Sequence, residues 1–179
     1  MTEMRILTVR QPWAWAIIHA GKDVENRTRN IAGDYRGHVA IHVSRTNDDT
    51  VTEYEHPMSG LIFPPCPLGR DLHHNTYTCT WCDDTVFRRW IDQGHIIGVV
   101  TLVGSHRGLA PTHDRMTTVD SCFRPNKEFG PCSPWAESNT WHLELTNPRP
   151  LTVPLPYKGA LGLRTLDDTT IATIKERLA

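Results

Sequence analysis

The sequence predicts one α+β domain built around a curved or barrel-like sheet. Its 179 residues suit a single ordinary domain, which we place at 1–179 with an irregular insert at about residues 46–90. Segments with strand character outnumber helical ones, and they follow the order β-α-β-(insert)-β-(loop)-β-β-α. Strands longer than helices in that order favour one sheet with flanking helices.

Five segments have the composition of strands. In chain order they are RILTVR (5–10), GHVAIHVS (37–44), HIIGVVTLVG (95–104), WHLEL (141–145) and GALGLRTL (159–166). The third is apolar on both faces, which is typical of a central strand. In the fourth, the alternation predicts that His142 and Glu144 point outward. Residues 105–135 are rich in Pro, Gly, Thr and His, and they predict an irregular loop.

Helical periodicity is confined to short stretches. Pro12 suits a first helical turn, and Gly21 suits the end of the same helix. Between them an apolar stripe at i, i+3, i+4 and i+7 comprises Trp13, Ala16, Ile17 and Ala20. A last helix is predicted over Asp167–Leu178, with Asp167 or Asp168 as its cap, and a short one over Thr85–Gly94.

Composition narrows the classes of function. The net charge of the chain is −1, but residues 1–45 carry a net charge of +3. Arginine outnumbers lysine by 15 to 4. Both features modestly favour an anionic partner. No apolar run approaches the about 20 residues that cross a bilayer, and no signal peptide is recognisable, so we expect a cytoplasmic protein with no membrane partner. Five cysteines, an odd number, do not indicate a disulfide framework.

Charged side chains concentrate just after the first helix. If the chain is extended after Gly21, Glu25 and Arg27 share a face and Lys22 reaches them from the turn. A carboxylate can accept from a base amino group, while Arg or Lys can hold a phosphate or carbonyl. The alternative is that Glu25 and Arg27 only pair to join the helix to the sheet.

Tryptophans near this segment are candidates for stacking on a base. Trp13 lies on the apolar stripe with Ile17 and is predicted to be core, whereas Trp15 pairs with His19 and is predicted to be less buried. Trp135 lies in a predicted loop, and we expect it to form a wall of a ligand site.

The segment LTVRQPWAWAIIHAGKDVENRTR resembles the opening of the activating signal cointegrator homology (ASCH) domain. That family shows a strand, a QPWA helix start and a G-x-K-x-x-E-x-R loop; here K-x-x-E-x-R is intact, with Gly21 directly before Lys22. The segments YRGHVAIHVS, IIGVVTLV, CSPWAE, WHLELTNPRPL and YKGALGLRTL follow in the family's order. The resemblance covers most of the chain outside the insert.

This resemblance implies a PUA-like β-barrel with flanking helices and a cleft that binds RNA or a modified nucleotide. The nucleic-acid-binding residues it favours are Arg10, Gln11, Lys22, Glu25, Arg27 and Trp135. The alternative function is hydrolysis in the same cleft, of acylated cytidine or of RNA, with Lys22 catalytic. For ribonuclease chemistry, His42 or His142 is a candidate acid or base.

One departure from the family pattern favours binding over hydrolysis. In the amidohydrolase-like members a threonine stands three residues after the lysine, and here that residue is Glu25. We expect this carboxylate to keep Lys22 protonated, since an opposite charge favours the charged form. The substitution also removes the hydroxyl nucleophile.

The insert contains a possible metal site. Its candidate zinc ligands are Cys66, His73 or His74, Cys79 and Cys82. Buried free thiols are the alternative, and no cofactor is required for the cleft function. Cys122 and Cys132 are isolated in the sequence and indicate no site by themselves.

Overall fold

The computed structural model describes residues 3–48, 92–109, 121–122 and 131–179. The predicted insert lies outside these residues except at its first positions, as does the helix predicted over Thr85–Gly94 except at its last three. The division of the chain into one domain with an insert therefore stays a prediction.

Seven strands and two helices form the described part. The strands are β1 (Met4–Val9), β2 (Val24–Arg27), β3 (Gly37–Val43), β4 (His95–Leu109), β5 (Ser121–Cys122), β6 (Trp141–Pro156) and β7 (Leu163–Thr165). The helices are α1 (Trp13–His19) and α2 (Asp168–Arg177). The sheet has the order β2-β6-β4-β3-β1-β7, with β5 paired to β4.

The α+β class is confirmed. The sheet is mixed: β1 and β3 are parallel, and the other pairs are antiparallel. In the described part of the chain it is an open path ending at β2 and β7, not a closed barrel. The predicted central strand is confirmed, because β4 lies between β3 and β6. However, β4 continues to Leu109, so the loop predicted from residue 105 begins later than expected.

Both faces of the sheet are covered, which explains the burial of β3. Val39, Ile41 and Val43 pack with α1 residues such as Ile17 in one apolar cluster. The opposite face of β3 places Ala40 in a second cluster with α2. The alternation in the sequence correctly separates these two faces, but neither faces water.

The end of α1 fixes where the next strand begins. The backbone N–H groups of Ala20 and Lys22 both donate to the carbonyl of Ala16, at 3.0 Å each. Gly21 makes this turn with φ +69°, a left-handed conformation that glycine adopts without strain. After this turn Lys22 points into the interior, and β2 begins two residues later at Val24.

Of two predictions for the C-terminal end of the chain, the helix cap is confirmed and the length of the strand is not. Asp167 caps α2 as predicted, since its side chain accepts from the N–H of Thr170 at 2.8 Å. The strand predicted over 159–166 is shorter, because Gly162 adopts φ +72° and the extended segment begins only at Leu163. Neither described helix combines the length and apolarity that crossing a membrane requires.

Candidate functional site

A cleft of about 400 Å³ opens at the end of β1, beside the start of α1 and β2. The segment 160–162 closes its other side. Its charged lining residues are Arg10, Lys22, Glu25, Arg27, Asp48 and Glu137. The K-x-x-E-x-R residues predicted from the sequence therefore lie together at one concave site.

Glu25 joins the two cations of the motif. Its carboxylate lies 3.0 Å from Nη2 of Arg27 and 3.7 Å from Nζ of Lys22. The extended geometry of β2 places Glu25 and Arg27 on one face, as predicted. Arg27 Nη2 also donates to the carbonyl of Thr8 at 2.8 Å, which connects β2 to β1 across the cleft floor.

Lys22 is buried, with 4% of its surface exposed. Its Nζ donates to the carbonyl of Val24 and lies 5.4 Å and 5.8 Å from the ring centroids of Trp13 and Trp135. Burial lowers the pKa of Lys22 below its ordinary value; nearby Glu25 acts in the opposite direction without cancelling the effect. Glu25 therefore favours the charged amine, as expected, but burial has the larger effect, and the sequence does not show how deeply the amine is buried. That Lys22 stays protonated remains a prediction.

The tryptophans do not have the burial that the sequence predicts. Trp135 is 4% exposed and packs with Trp15 and Val24, so it lies behind the cleft and is not part of its lining. Trp15 is also buried, contrary to the prediction. Trp13 is half-buried and lines the cleft, and its Nε1 donates to Asp48 at 3.0 Å. Its ring stands edge-on to Trp135, with centroids 6.3 Å apart.

Arg10 and Gln11 are adjacent in sequence but have different surroundings. Arg10 is exposed at the mouth of the cleft. Gln11 is fully buried, and its Oε1 accepts from the backbone N–H of Trp15 at 2.9 Å. Gln11 therefore satisfies an N–H in the first turn of α1, where no earlier carbonyl of the helix can reach. Of the six predicted binding residues, Gln11 and Trp135 do not line the cleft.

Two acidic residues of the lining escaped prediction. Asp48 follows β3, and Glu137 lies in the loop before β6, more than a hundred positions from Lys22 in the chain. The loop is held to β2 by Asn26, which donates to the carbonyl of Trp135 at 2.9 Å and accepts from the N–H of Glu137 at 3.1 Å. No sequence signal indicated Asp48 or Glu137, because each reaches the cleft only through contacts formed in the folded chain.

The histidines proposed for acid–base chemistry lie elsewhere. His42 is buried against the C-terminal segment, where its Nε2 donates to the carbonyl of Tyr157 at 3.0 Å, and burial lowers its pKa. His142 is 1% exposed, so the prediction that it points outward is wrong. Neither histidine lines the cleft.

Metal-binding side chains occur at a different place from the one predicted. Cys66, His73, His74, Cys79 and Cys82 lie outside the described residues, so zinc in the insert stays a prediction. In the described part of the chain, the side chains that could hold a metal ion are grouped at β4, β5, β6 and the loop before β6, and none of them lines the cleft. They comprise His106, Cys122, Cys132 and His142.

No protein-family model matches the chain, and no curated protein is significantly similar to it. The resemblance to the ASCH domain therefore stays a prediction that rests on the motifs quoted above.

Proposed function

We propose that the cleft binds one nucleotide unit, either a modified nucleotide or a single nucleotide of RNA. The observation that carries this proposal is the position of Glu25. Its carboxylate is held between Lys22 and Arg27 in the cleft wall, beside the half-buried ring of Trp13. A fixed carboxylate next to an aromatic surface is the arrangement that reads a base by its edge and its face.

The size and charge of the cleft favour one unit over a long strand. About 400 Å³ falls within the about 300–1,000 Å³ usual for small-molecule sites. Three cationic side chains and three carboxylates line it, so its charges nearly balance. A site that follows a phosphate backbone needs a groove of excess positive charge, whereas a base with one phosphate needs donors, acceptors and one exposed cation.

Each lining residue has a role in this proposal. Glu25 accepts from an exocyclic amino group, and Arg27 donates to a base carbonyl. Trp13 offers its ring for stacking, and its bond to Asp48 fixes the ring plane in advance. Arg10, exposed at the mouth, binds the phosphate.

The proposal also includes the type of domain that carries the cleft. A PUA-like, ASCH-type domain is supported by the mixed sheet with helices on both faces and by the motif residues at the cleft. A cytoplasmic location agrees with an RNA or nucleotide ligand.

Hydrolysis in the same cleft is a second candidate, and one observation favours it. Burial lowers the pKa of Lys22, which increases the fraction of neutral amine able to act as a general base. On acylated cytidine, Lys22 would take a proton from a water whose oxygen attacks the acyl carbon. The bond from that carbon to the exocyclic nitrogen would then break, the nitrogen would leave as the amino group of cytidine with the proton returned from Lys22, and the acyl group would be released as a carboxylic acid.

Equilibrium binding and product analysis together separate the two candidates. We would titrate the protein with nucleoside monophosphates, acylated cytidine and short single-stranded RNA, and analyse each mixture for cleavage. A binding domain gives saturable binding with intact ligand. Glu25→Gln should weaken binding, because a neutral amide is a weaker acceptor for an amino group, presents N–H donors in place of one oxygen, and pairs poorly with Arg27. Cleavage that Lys22→Met abolishes establishes the hydrolase instead. Absence of both binding and cleavage contradicts the cleft function.

A further inference from the structure

We propose that His106, Cys122, Cys132 and His142 form a structural zinc site. The site is separate from the cleft, and the inference does not depend on the cleft's function. The four donor atoms lie within 4.8 Å of one another. Two thiols and two imidazoles are a ligand set that zinc prefers.

The distances fit one tetrahedral ion. Nδ1 of His142 lies 3.3 Å from Sγ of Cys122, from Sγ of Cys132 and from Nε2 of His106. Zinc bound to sulfur at about 2.3 Å and to nitrogen at about 2.0–2.1 Å keeps its tetrahedral donors about 3.3–3.8 Å apart. The ligands need only small movements to surround an ion.

The sheet itself brings these residues together. His106 on β4 and His142 on β6 are directly opposite in register, and their rings meet edge to face with centroids 5.1 Å apart. Cys122 on β5 is opposite Gly108, two residues further along β4 and hence on the same face as His106. Cys132 approaches from the start of the loop that leads to β6.

The outer nitrogen of each histidine is already engaged. Nε2 of His142 lies 2.7 Å from the carbonyl of Glu137, to which it must donate, because a carbonyl only accepts. Nδ1 of His106 lies 3.3 Å from a carboxylate oxygen of Glu144, to which it likewise donates. Metal-binding histidines are usually held by such outer hydrogen bonds, which fix the tautomer.

These two bonds leave the other nitrogen of each neutral ring directed into the cluster as a possible ligand. In a neutral imidazole, one nitrogen carries hydrogen and the other accepts. With their outer nitrogens donating, Nδ1 of His142 and Nε2 of His106 both present lone pairs, and they face each other at 3.3 Å. A metal ion between them would use both lone pairs, and it would replace the thiol protons that Cys122 or Cys132 can otherwise donate to Nδ1 of His142.

A glycine leaves space for the buried histidine. A Cβ at Gly108 would lie 2.6 Å from Cε1 and 2.9 Å from Nε2 of His142, closer than such atoms approach in proteins. Cys122 and His142 are 3% and 1% exposed, so these two donors are shielded from water, while His106 and Cys132 are half-buried. Four protein ligands leave no open position for substrate, which indicates a structural ion and not a catalytic one.

Metal analysis and cobalt substitution test the site on the complete chain. We expect one tightly bound zinc after dialysis against a chelating resin. Replacement by Co²⁺ should give the intense visible absorption of tetrahedral cobalt together with thiolate-to-cobalt charge transfer. A folded protein that holds no metal, or a cobalt form without the thiolate band, would overturn the proposal.

Matched variants distinguish this site from one in the insert. Cys132→Ser and His106→Gln should each lose one equivalent of zinc, whereas Cys79→Ser and His73→Gln should keep that equivalent. If the protein holds two zinc ions, the first pair should still lose one of them and its cobalt spectrum. Retention of all zinc and an unchanged cobalt spectrum in folded Cys132→Ser contradicts the proposal. If that variant does not fold, the cobalt form of Cys79→Ser decides: it should keep the thiolate band, and loss of the band there contradicts the proposal.

Discussion

The carbonyl of Glu137 accepts a hydrogen bond from Nε2 of His142 at 2.7 Å, while the side chain of the same Glu137 lines the cleft. One residue therefore belongs to both the Cys/His cluster and the proposed ligand site. The loop between Cys132 and β6 also carries Trp135, which packs behind Lys22. An ion in the cluster would hold this loop, and with it one wall of the cleft.

Removal of the metal should destabilise the protein and weaken ligand binding together. An ion present at about a thousand times its dissociation constant adds about 4 kcal/mol to the free energy of unfolding, or about 8–16 °C in Tm for a chain of this size. Differential scanning fluorimetry with and without a chelator measures the change. Zinc, and not magnesium, should restore the original Tm. An unchanged Tm after complete metal removal contradicts a structural role.

Alanine at two glycines of β4 should have unequal effects. At Gly108 a Cβ collides with His142, whose ring is held on both sides, so the strand or the histidine must move. Such overpacking costs about 1–3 kcal/mol, which corresponds to a Tm lower by about 2–12 °C, and the variant should bind zinc weakly.

Gly104→Ala is the matched control for that change. Its Cβ meets only the side chain of Glu144, which is flexible and can turn aside. We expect Gly104→Ala to keep its zinc, with an affinity lowered only by the weakened support of His106. Equal loss of zinc in the two alanine variants would show that the close fit of Gly108 against His142 does not determine zinc binding.

Lys22 should make the stability of the protein depend on alkaline pH. Its pKa in the folded protein is lowered by burial, so between that value and the ordinary 10.5 the unfolded chain binds more protons. The free energy of unfolding should therefore rise with pH through this window. Lys22→Met removes the titrating amine while filling similar space, and Glu25 keeps its bond to Arg27.

Urea unfolding at several pH values tests this prediction. The wild-type protein should gain stability relative to Lys22→Met as the pH rises from neutral towards 10.5. A constant difference between the two proteins across that range would mean that Lys22 titrates as an ordinary exposed lysine.

Gln11 should support the fold and not the ligand. Gln11→Met leaves the buried N–H of Trp15 without its side-chain acceptor, at a cost of about 1–3 kcal/mol. Chemical denaturation should show this loss, while nucleotide affinity of the folded variant stays near the wild-type value. A selective loss of affinity at unchanged stability would restore Gln11 as a ligand contact.

The sequence predicted local structure well where one periodicity dominates. The helix that begins at Trp13, the cap at Asp167 and the central position of β4 are all observed, because each depends on neighbouring residues. The stripe within α1 is not, since α1 also buries Ala14, Trp15 and Ile18. The adjacency of Lys22, Glu25 and Arg27 was predictable for the same reason, since an extended strand places alternate residues together.

Features that depend on strand register were not predictable. The meeting of His106 with His142, and of Cys122 with both, follows from pairings between distant strands. In the sequence Cys122 and Cys132 are isolated, whereas the cysteines and histidines of the insert are close together. Burial was not predictable for the same reason: Trp135 was expected to form a wall of the cleft, but it is covered by Trp15 and Val24.

Binding of a nucleoside monophosphate to matched arginine variants tests the central claim most directly. Arg10 is exposed at the cleft mouth, and Arg149 is exposed on β6 outside the cleft lining. Both alanine variants should fold normally, and they carry the same change in charge. Isothermal titration calorimetry should show that Arg10→Ala weakens binding about tenfold or more, as expected for a lost charged contact of about 1.5–3 kcal/mol, and that Arg149→Ala binds like the wild type. Equal affinity in all three proteins, or equal weakening in the two variants, would contradict a nucleotide site in this cleft.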